Sequence, residues 1–122
     1  IGIPVERLRR LEALHRDYAI YMLSNTNKIM WDSRIAEEFR KDGHDRDYYF
    51  DGCVTSFEAR CYKPDAAIFR ETLRKFGLNA PDVVFFDDSQ ANCDAAARLG
   101  FKTVWVAPGQ EFYNLEIPRS EA

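Results

Sequence analysis

An unbroken apolar run, Val83-Val84-Phe85-Phe86, ends abruptly in two adjacent carboxylates, Asp87 and Asp88. A strand that is apolar on both faces belongs in a parallel sheet covered by helices, whereas a half-exposed antiparallel strand alternates polar and apolar residues. In open α/β sheets ligands bind beyond the carboxyl ends of the strands, and Asp87 and Asp88 stand at such an end. Like charges side by side repel unless a cation lies near them, and Mg²⁺ is commonly held by one or two carboxylates together with waters and phosphate. The pair therefore points to a magnesium site that handles phosphate. The same residues also suit an acidic turn capping the next helix, where Asp and Ser are favoured.

Two other strand ends carry groups suited to an anion. Ser24 closes the run Tyr18-Ala19-Ile20-Tyr21-Met22-Leu23 and is followed by Asn25-Thr26-Asn27. A hydroxyl, an amide and the N–H groups opening the next helix can hydrogen-bond a phosphate, although Ser-Asn-Thr-Asn is equally ordinary turn and N-cap chemistry. Lys63 precedes Pro64-Asp65, which opens a helical pattern of Ala66, Ile68, Phe69, Leu73 and Phe76 before Gly77. An ammonium there can neutralise a phosphate and the carboxylates together, the alternative being a merely solvated lysine.

The remaining elements alternate as in a sheet wrapped by helices. Pro4 to about His15 reads as a helix with the stripe Val5, Leu8, Leu11 and Leu14. The strand Tyr18–Leu23 follows. A second helix runs from Asn27 to about Lys41, with Ile29, Met30, Ile35 and Phe39 as packing candidates and Gly43 after its end. Trp31 is expected in the core, the alternative being a position facing the site or a cap. Asp45-Arg46-Asp47 follows a polar stretch and reads as loop, Gly52-Cys53-Val54-Thr55 as a short strand, and Ser56 to Tyr62 as the connection presenting Lys63. Within that connection Ser56 and Glu58 suit either the site or turn chemistry. Ala91 to Leu99 is a helix whose Ala91, Ala95 and Ala96 permit close approach to the sheet, its N-terminus favouring an anion. Lys102 to Val106 forms the last strand, and Pro108-Gly109 leads into a poorly patterned tail.

Composition narrows the function class. With 122 residues, 46% of them hydrophobic, the chain can build one core but is short for a complete α/β hydrolase. Seventeen basic and twenty acidic side chains give a net charge of −3, which offers no electrostatic case for nucleic acid or an anionic membrane. Cys53, Cys61 and Cys93 are odd in number and lack metal-ligand spacing, so reduced thiols and a cytoplasmic location are expected. No apolar run reaches the length of a membrane span, and Ile1-Gly2-Ile3-Pro4 is not a signal peptide.

Taken in order, Leu23-Ser24-Asn25-Thr26-Asn27, Lys63-Pro64-Asp65-Ala66-Ala67-Ile68-Phe69 and Phe85-Phe86-Asp87-Asp88-Ser89 resemble the second, third and fourth motifs of the haloacid dehalogenase-like (HAD) superfamily, in its small-phosphatase branch. The resemblance spans nearly the whole chain. It implies a three-layer, Rossmann-like core with a mostly parallel sheet, and phosphoryl transfer to an aspartate followed by hydrolysis. It also implies roles: Ser24 binding a phosphoryl oxygen, Lys63 offsetting negative charge, Asp88 binding Mg²⁺ directly and Asp87 binding it through water or orienting a ligand. Asn25 would touch the substrate, a small phosphorylated metabolite, and Asn92 would support the acidic loop.

The family's first motif, an Asp-x-Asp at the end of a leading strand, has no counterpart in this sequence. Asp45-Arg46-Asp47 aligns instead with the approach to the strand at Gly52. The chain therefore reads as a single partial core domain lacking the first strand and the cap, inactive by itself, whose sheet is expected to close non-natively, to pair with a second copy or to keep a separate N-terminal fragment. Three alternatives remain. A haloacid dehalogenase uses the same Ser and Lys but generally lacks the paired acids. A response-regulator receiver has its acidic pair first and its lysine last, the reverse of this order. A non-catalytic module would bind a partner or phosphate without turnover.

Overall fold

The structure is a computed structural model describing residues 2–118. It divides into two compact units, one reaching to Arg60 and one starting at Cys61.

The first unit opens with α1 (Val5–His15), which follows Pro4 and fully buries Leu8 from the expected stripe. Strand β1 is Tyr21–Ser24, three residues later than the sequence predicts. The amides of Asp17 and Tyr18 fold back onto the Leu14 carbonyl, each at 3.0 Å, so the chain is still leaving α1 where the strand was expected and Tyr18 is exposed. The helix expected over 27–41 is composite: α2 (Lys28–Met30), a π-helical turn (Trp31–Ile35), α3 (Ala36–Phe39) and a 3₁₀ turn (Arg40–Asp42), closed by Gly43 at φ 83°. Trp31 and Phe39 are buried as expected, whereas Ile29, a predicted packing residue, is 80% exposed. At about 100° per residue, Ile29 and Trp31 lie roughly 200° apart around a helix, and the larger indole occupies the inward side.

Asp45-Arg46-Asp47, read as loop, instead opens a short helix, α4 (Arg46–Tyr49), with Asp45 extended at its N-cap and its carbonyl accepting from the Tyr48 amide. The reason is tertiary. Tyr49 and Phe50 join Leu8 and Phe39 in the core of this unit, with Phe39 and Phe50 edge to face at 5.4 Å, and one turn of helix places both rings inward. Strand β2 (Gly52–Thr55) occupies its predicted span and pairs parallel with β1, from Tyr21 opposite Gly52 to Ser24 opposite Thr55. The start of the expected connection is a helical turn, α5 (Ser56–Ala59), ended by Arg60 in the left-handed region at φ 58°.

In the second unit the predicted boundaries hold within a residue or two. Helix α6 (Ala66–Phe76) ends at Gly77, and a 3₁₀ turn (Ala80–Asp82) leads into β3 (Val84–Asp87). Helix α7 (Gln90–Arg98) then returns to β4 (Lys102–Trp105), parallel to β3 and in register from Val84–Lys102 to Asp87–Trp105. Phe69 packs edge to face on Phe85 and tilts against Phe101 at 5.7 Å, with Ile68 and Ala96 fully buried beside this core. Ala95 is buried too, but Ala91 is exposed, so the close approach of α7 rests on the two later alanines. The predicted tail contains a 3₁₀ turn (Phe112–Asn114), and its residues 119–122 lie outside the described part.

The class is thus α/β with short parallel sheets, each unit holding one strand pair. All three cysteines are free thiols. Among the described residues, no helix is long and apolar enough to cross a membrane.

Candidate active site

Strand β3 delivers Asp87 and Asp88 to its carboxyl end with different surroundings. Asp87 is turned inward, its side chain 7% exposed, and accepts from the Lys63 ammonium at 2.8 Å. Its other oxygen accepts the Ser89 amide at 2.8 Å, while the Asn92 side-chain amide donates at 3.3 Å to the oxygen that Lys63 holds. Burial pushes the Asp87 carboxyl up, but the Lys63 ammonium, the Ser89 N–H and the Asn92 amide outweigh it and hold the group below its usual range. The carboxylate of Asp88 is exposed and has no hydrogen bond or ion pair among the described residues.

Local sequence explains this arrangement. Ser89 is the N-cap of α7 and its hydroxyl accepts the Asn92 amide at 3.3 Å, which fixes Asn92 one turn above the end of β3. Lys63 lies just ahead of α6, with its peptide bond to Pro64 cis, and its ammonium lies 5.9 Å from the centre of the Phe85 ring. Lys63, Asp87 and Asn92 are therefore brought together, as the sequence suggests. Trp105 is a partner that the sequence reading missed. Its indole N–H donates to the Asp88 carbonyl at 2.9 Å, holding the acidic turn from the neighbouring strand. The signal was available, because Trp105 stands opposite Asp87 once β3 and β4 are paired in register.

In the first unit Ser24 is the last residue of β1, and Asn25 is exposed just beyond it. The Thr26 amide and carbonyl are both bonded to the hydroxyl of Ser56, and Asn27 caps α2 by accepting the Met30 amide at 2.9 Å. Glu58 accepts the Thr55 hydroxyl at 2.8 Å, the turn chemistry that the sequence allowed. An open hollow of about 500 Å³ in this unit is lined by Trp31, Arg46, Asp47, Phe50 and Glu58 among others. Arg46, also missed in the sequence reading, lays its guanidinium 3.7 Å from the centre of the Trp31 ring and donates to the Trp31 carbonyl.

The chain matches the family model for haloacid dehalogenase-like hydrolases over residues 5–100, across both units. It is 27% identical over 110 residues to D-ribitol-5-phosphate phosphatase of Bacteroides thetaiotaomicron, covering 90% of this chain and 53% of that protein. It is also 27% identical over 101 residues to (S)-2-haloacid dehalogenase 4A of Burkholderia cepacia, covering 83% of this chain and 40% of that protein. Among solved structures it is similar to a HAD family enzyme of Bacteroides thetaiotaomicron in complex with magnesium and inorganic phosphate. The TM-score there is 0.87 and the identity 31%, over 92% of this chain and 57% of that one. The chain thus spans roughly half the length of the curated relatives it matches.

Proposed function

Because this chain belongs to the haloacid dehalogenase-like hydrolases, we propose that the complete protein is a magnesium-dependent phosphomonoester hydrolase acting on a small phosphorylated metabolite. The observation that carries this reading is the asymmetry of the acidic pair, with Asp87 neutralised by Lys63 and Asp88 left with a free, exposed carboxylate beside it. Mg²⁺ favours few protein carboxylates and retains waters and phosphate oxygens, so one free and one oriented carboxylate fit it even though the described residues hold no cluster of three metal-ligating side chains. Asp88 would hold the ion and Asp87 would orient its shell. The ion would supply charge neutralisation on the transferring phosphoryl group.

The chain's own residues would do the rest by positioning and electrostatics. In the second unit the Lys63 ammonium would offset negative charge, and in the first the Ser24 hydroxyl and Asn25 are the groups that the family resemblance assigns to a phosphoryl oxygen and to the substrate. Asn92 keeps Asp87 in place. The phosphoryl group would pass from the ester oxygen to the carboxylate of an aspartate assigned to no residue of this chain, the substrate leaving as its protonated alcohol, and water would then cleave the acyl phosphate to give inorganic phosphate and restore the carboxylate.

The relative that hydrolyses D-ribitol-5-phosphate makes sugar-alcohol phosphates the first substrates to test. The complete protein should release phosphate from D-ribitol-5-phosphate or p-nitrophenyl phosphate only with Mg²⁺, and Asp88→Asn should abolish that turnover. Wild-type activity in Asp88→Asn would remove the metal assignment. The similarity to a haloacid dehalogenase supports a second reading, which halide release from a 2-haloacid without metal would favour.

A further inference from the structure

The backbone ladder between β1 and β2 stops at Ser24 and Thr55, because the chain turns into α5 at Ser56. Beyond that point, among the described residues, the loop leaving β1 is paired with no strand. The Ser56 hydroxyl takes the place of the strand, donating to the Thr26 carbonyl at 2.9 Å and accepting from the Thr26 amide at 2.9 Å. Ser56 is 2% exposed, so its hydroxyl has little access to water and these two bonds satisfy it. Ser24 and Asn25 are thereby held between two fixed points, the last rung of the ladder and the Ser56 clamp, and Asn27 anchors the next residues by capping α2.

We infer that Ser56 is a positioning residue that holds the Ser24–Asn25 loop in its phosphate-binding conformation. It touches no substrate and acts only through the Thr26 peptide. The role in turnover rests on the phosphatase reading above, whereas the clamp itself does not.

Amide hydrogen exchange and kinetics on the complete protein test both parts. In Ser56→Ala the Thr26 amide should lose about tenfold in protection, the scale of one net hydrogen bond, while the ladder amides of β1 and β2 stay protected. With p-nitrophenyl phosphate and Mg²⁺, kcat/KM should fall on the order of 10²-fold, the scale of a small misplacement of a binding group. The double variant Ser24→Ala/Ser56→Ala should be no worse than Ser24→Ala alone, since the clamp works through the loop that carries Ser24. Unchanged Thr26 protection, additive losses in the double variant, or loss of protection along β2 as well would each overturn the inference, the last by making Ser56 a general packing residue. If Ser56→Ala does not fold, Ser56→Cys fills the same space with a weak hydrogen-bonding group and should show the same pattern. Freed Thr26 exchange in a protein that hydrolyses no phosphomonoester would confirm the clamp and sink the phosphatase reading instead.

Discussion

Lys63 and Asp87 form the most enclosed ion pair in the second unit, with side chains 13% and 7% exposed. Removing one partner of such a pair strands the other charge, so Lys63→Met should destabilise the protein by about 3 kcal/mol in denaturant titrations, and Lys63→Met/Asp87→Asn should recover part of that loss. Tyr49 poses the opposite case. Its hydroxyl is buried without a hydrogen-bond partner among the described residues, while its ring packs beside Phe39 at 6.1 Å. Tyr49→Phe removes an unsatisfied polar atom and keeps the ring, so thermal unfolding should show a melting temperature equal to or above wild type. Asp51 supplies a pH dependence. Burial pushes its carboxyl up, but the Ile20 amide at 2.8 Å and the His15 ring at 2.9 Å outweigh it and lower the group. A folded value below the unfolded one means that its contribution is complete above the unfolded value, about 3.9, and is lost as the pH falls through the folded value. The stability gap between wild type and Asp51→Asn should therefore narrow as the pH falls into strong acid, as followed by denaturant titrations across that range. The candidate chemistry at Ser24, Asp87 and Asp88 was visible in sequence because each group follows an apolar run, and Lys63 because it stands directly before the Pro64-Asp65 helix opening. Trp105 and Arg46 were not, since each acts through a neighbour that only folding brings near.

The elements differ in how much of their shape is local. Helix α6 was legible to the residue, with its apolar spacing and with Gly77 past its end at φ 63°. The amide of Leu78 closes onto the Leu73 carbonyl at 2.9 Å, which only a left-handed residue at position 77 permits. Gly77→Ala should cost about 1 kcal/mol, measurable by chemical denaturation. Arg60 occupies the same left-handed region at the end of α5 with a side chain that disfavours it. Arg60→Gly should therefore leave stability unchanged or raise it by up to about 1 kcal/mol. The segment from Lys28 to Asp42 was harder, because its π turn rotates the apolar stripe midway and no simple period describes both halves. For α4 and α5 the sequence reads as turn, and burial of Tyr49, Phe50 and Ser56 makes the helical turns.

At the level of the molecule, the described residues form two parallel strand pairs, β1 with β2 in the first unit and β3 with β4 in the second. A two-stranded sheet is marginal unless helices or further strands cover it. The sequence alone determined the class, the order of the strands and longer helices, and the strand ends at Ser24 and Asp87, because a both-faced apolar run and a glycine stop depend on neighbours a few residues away. Which carboxylate is neutralised and which is free, where Ile29 and Trp31 point, and how Ser56 holds Thr26 were decided by tertiary structure. Those outcomes turn on burial and on hydrogen bonds between residues as many as 30 positions apart, a relation that no local pattern encodes.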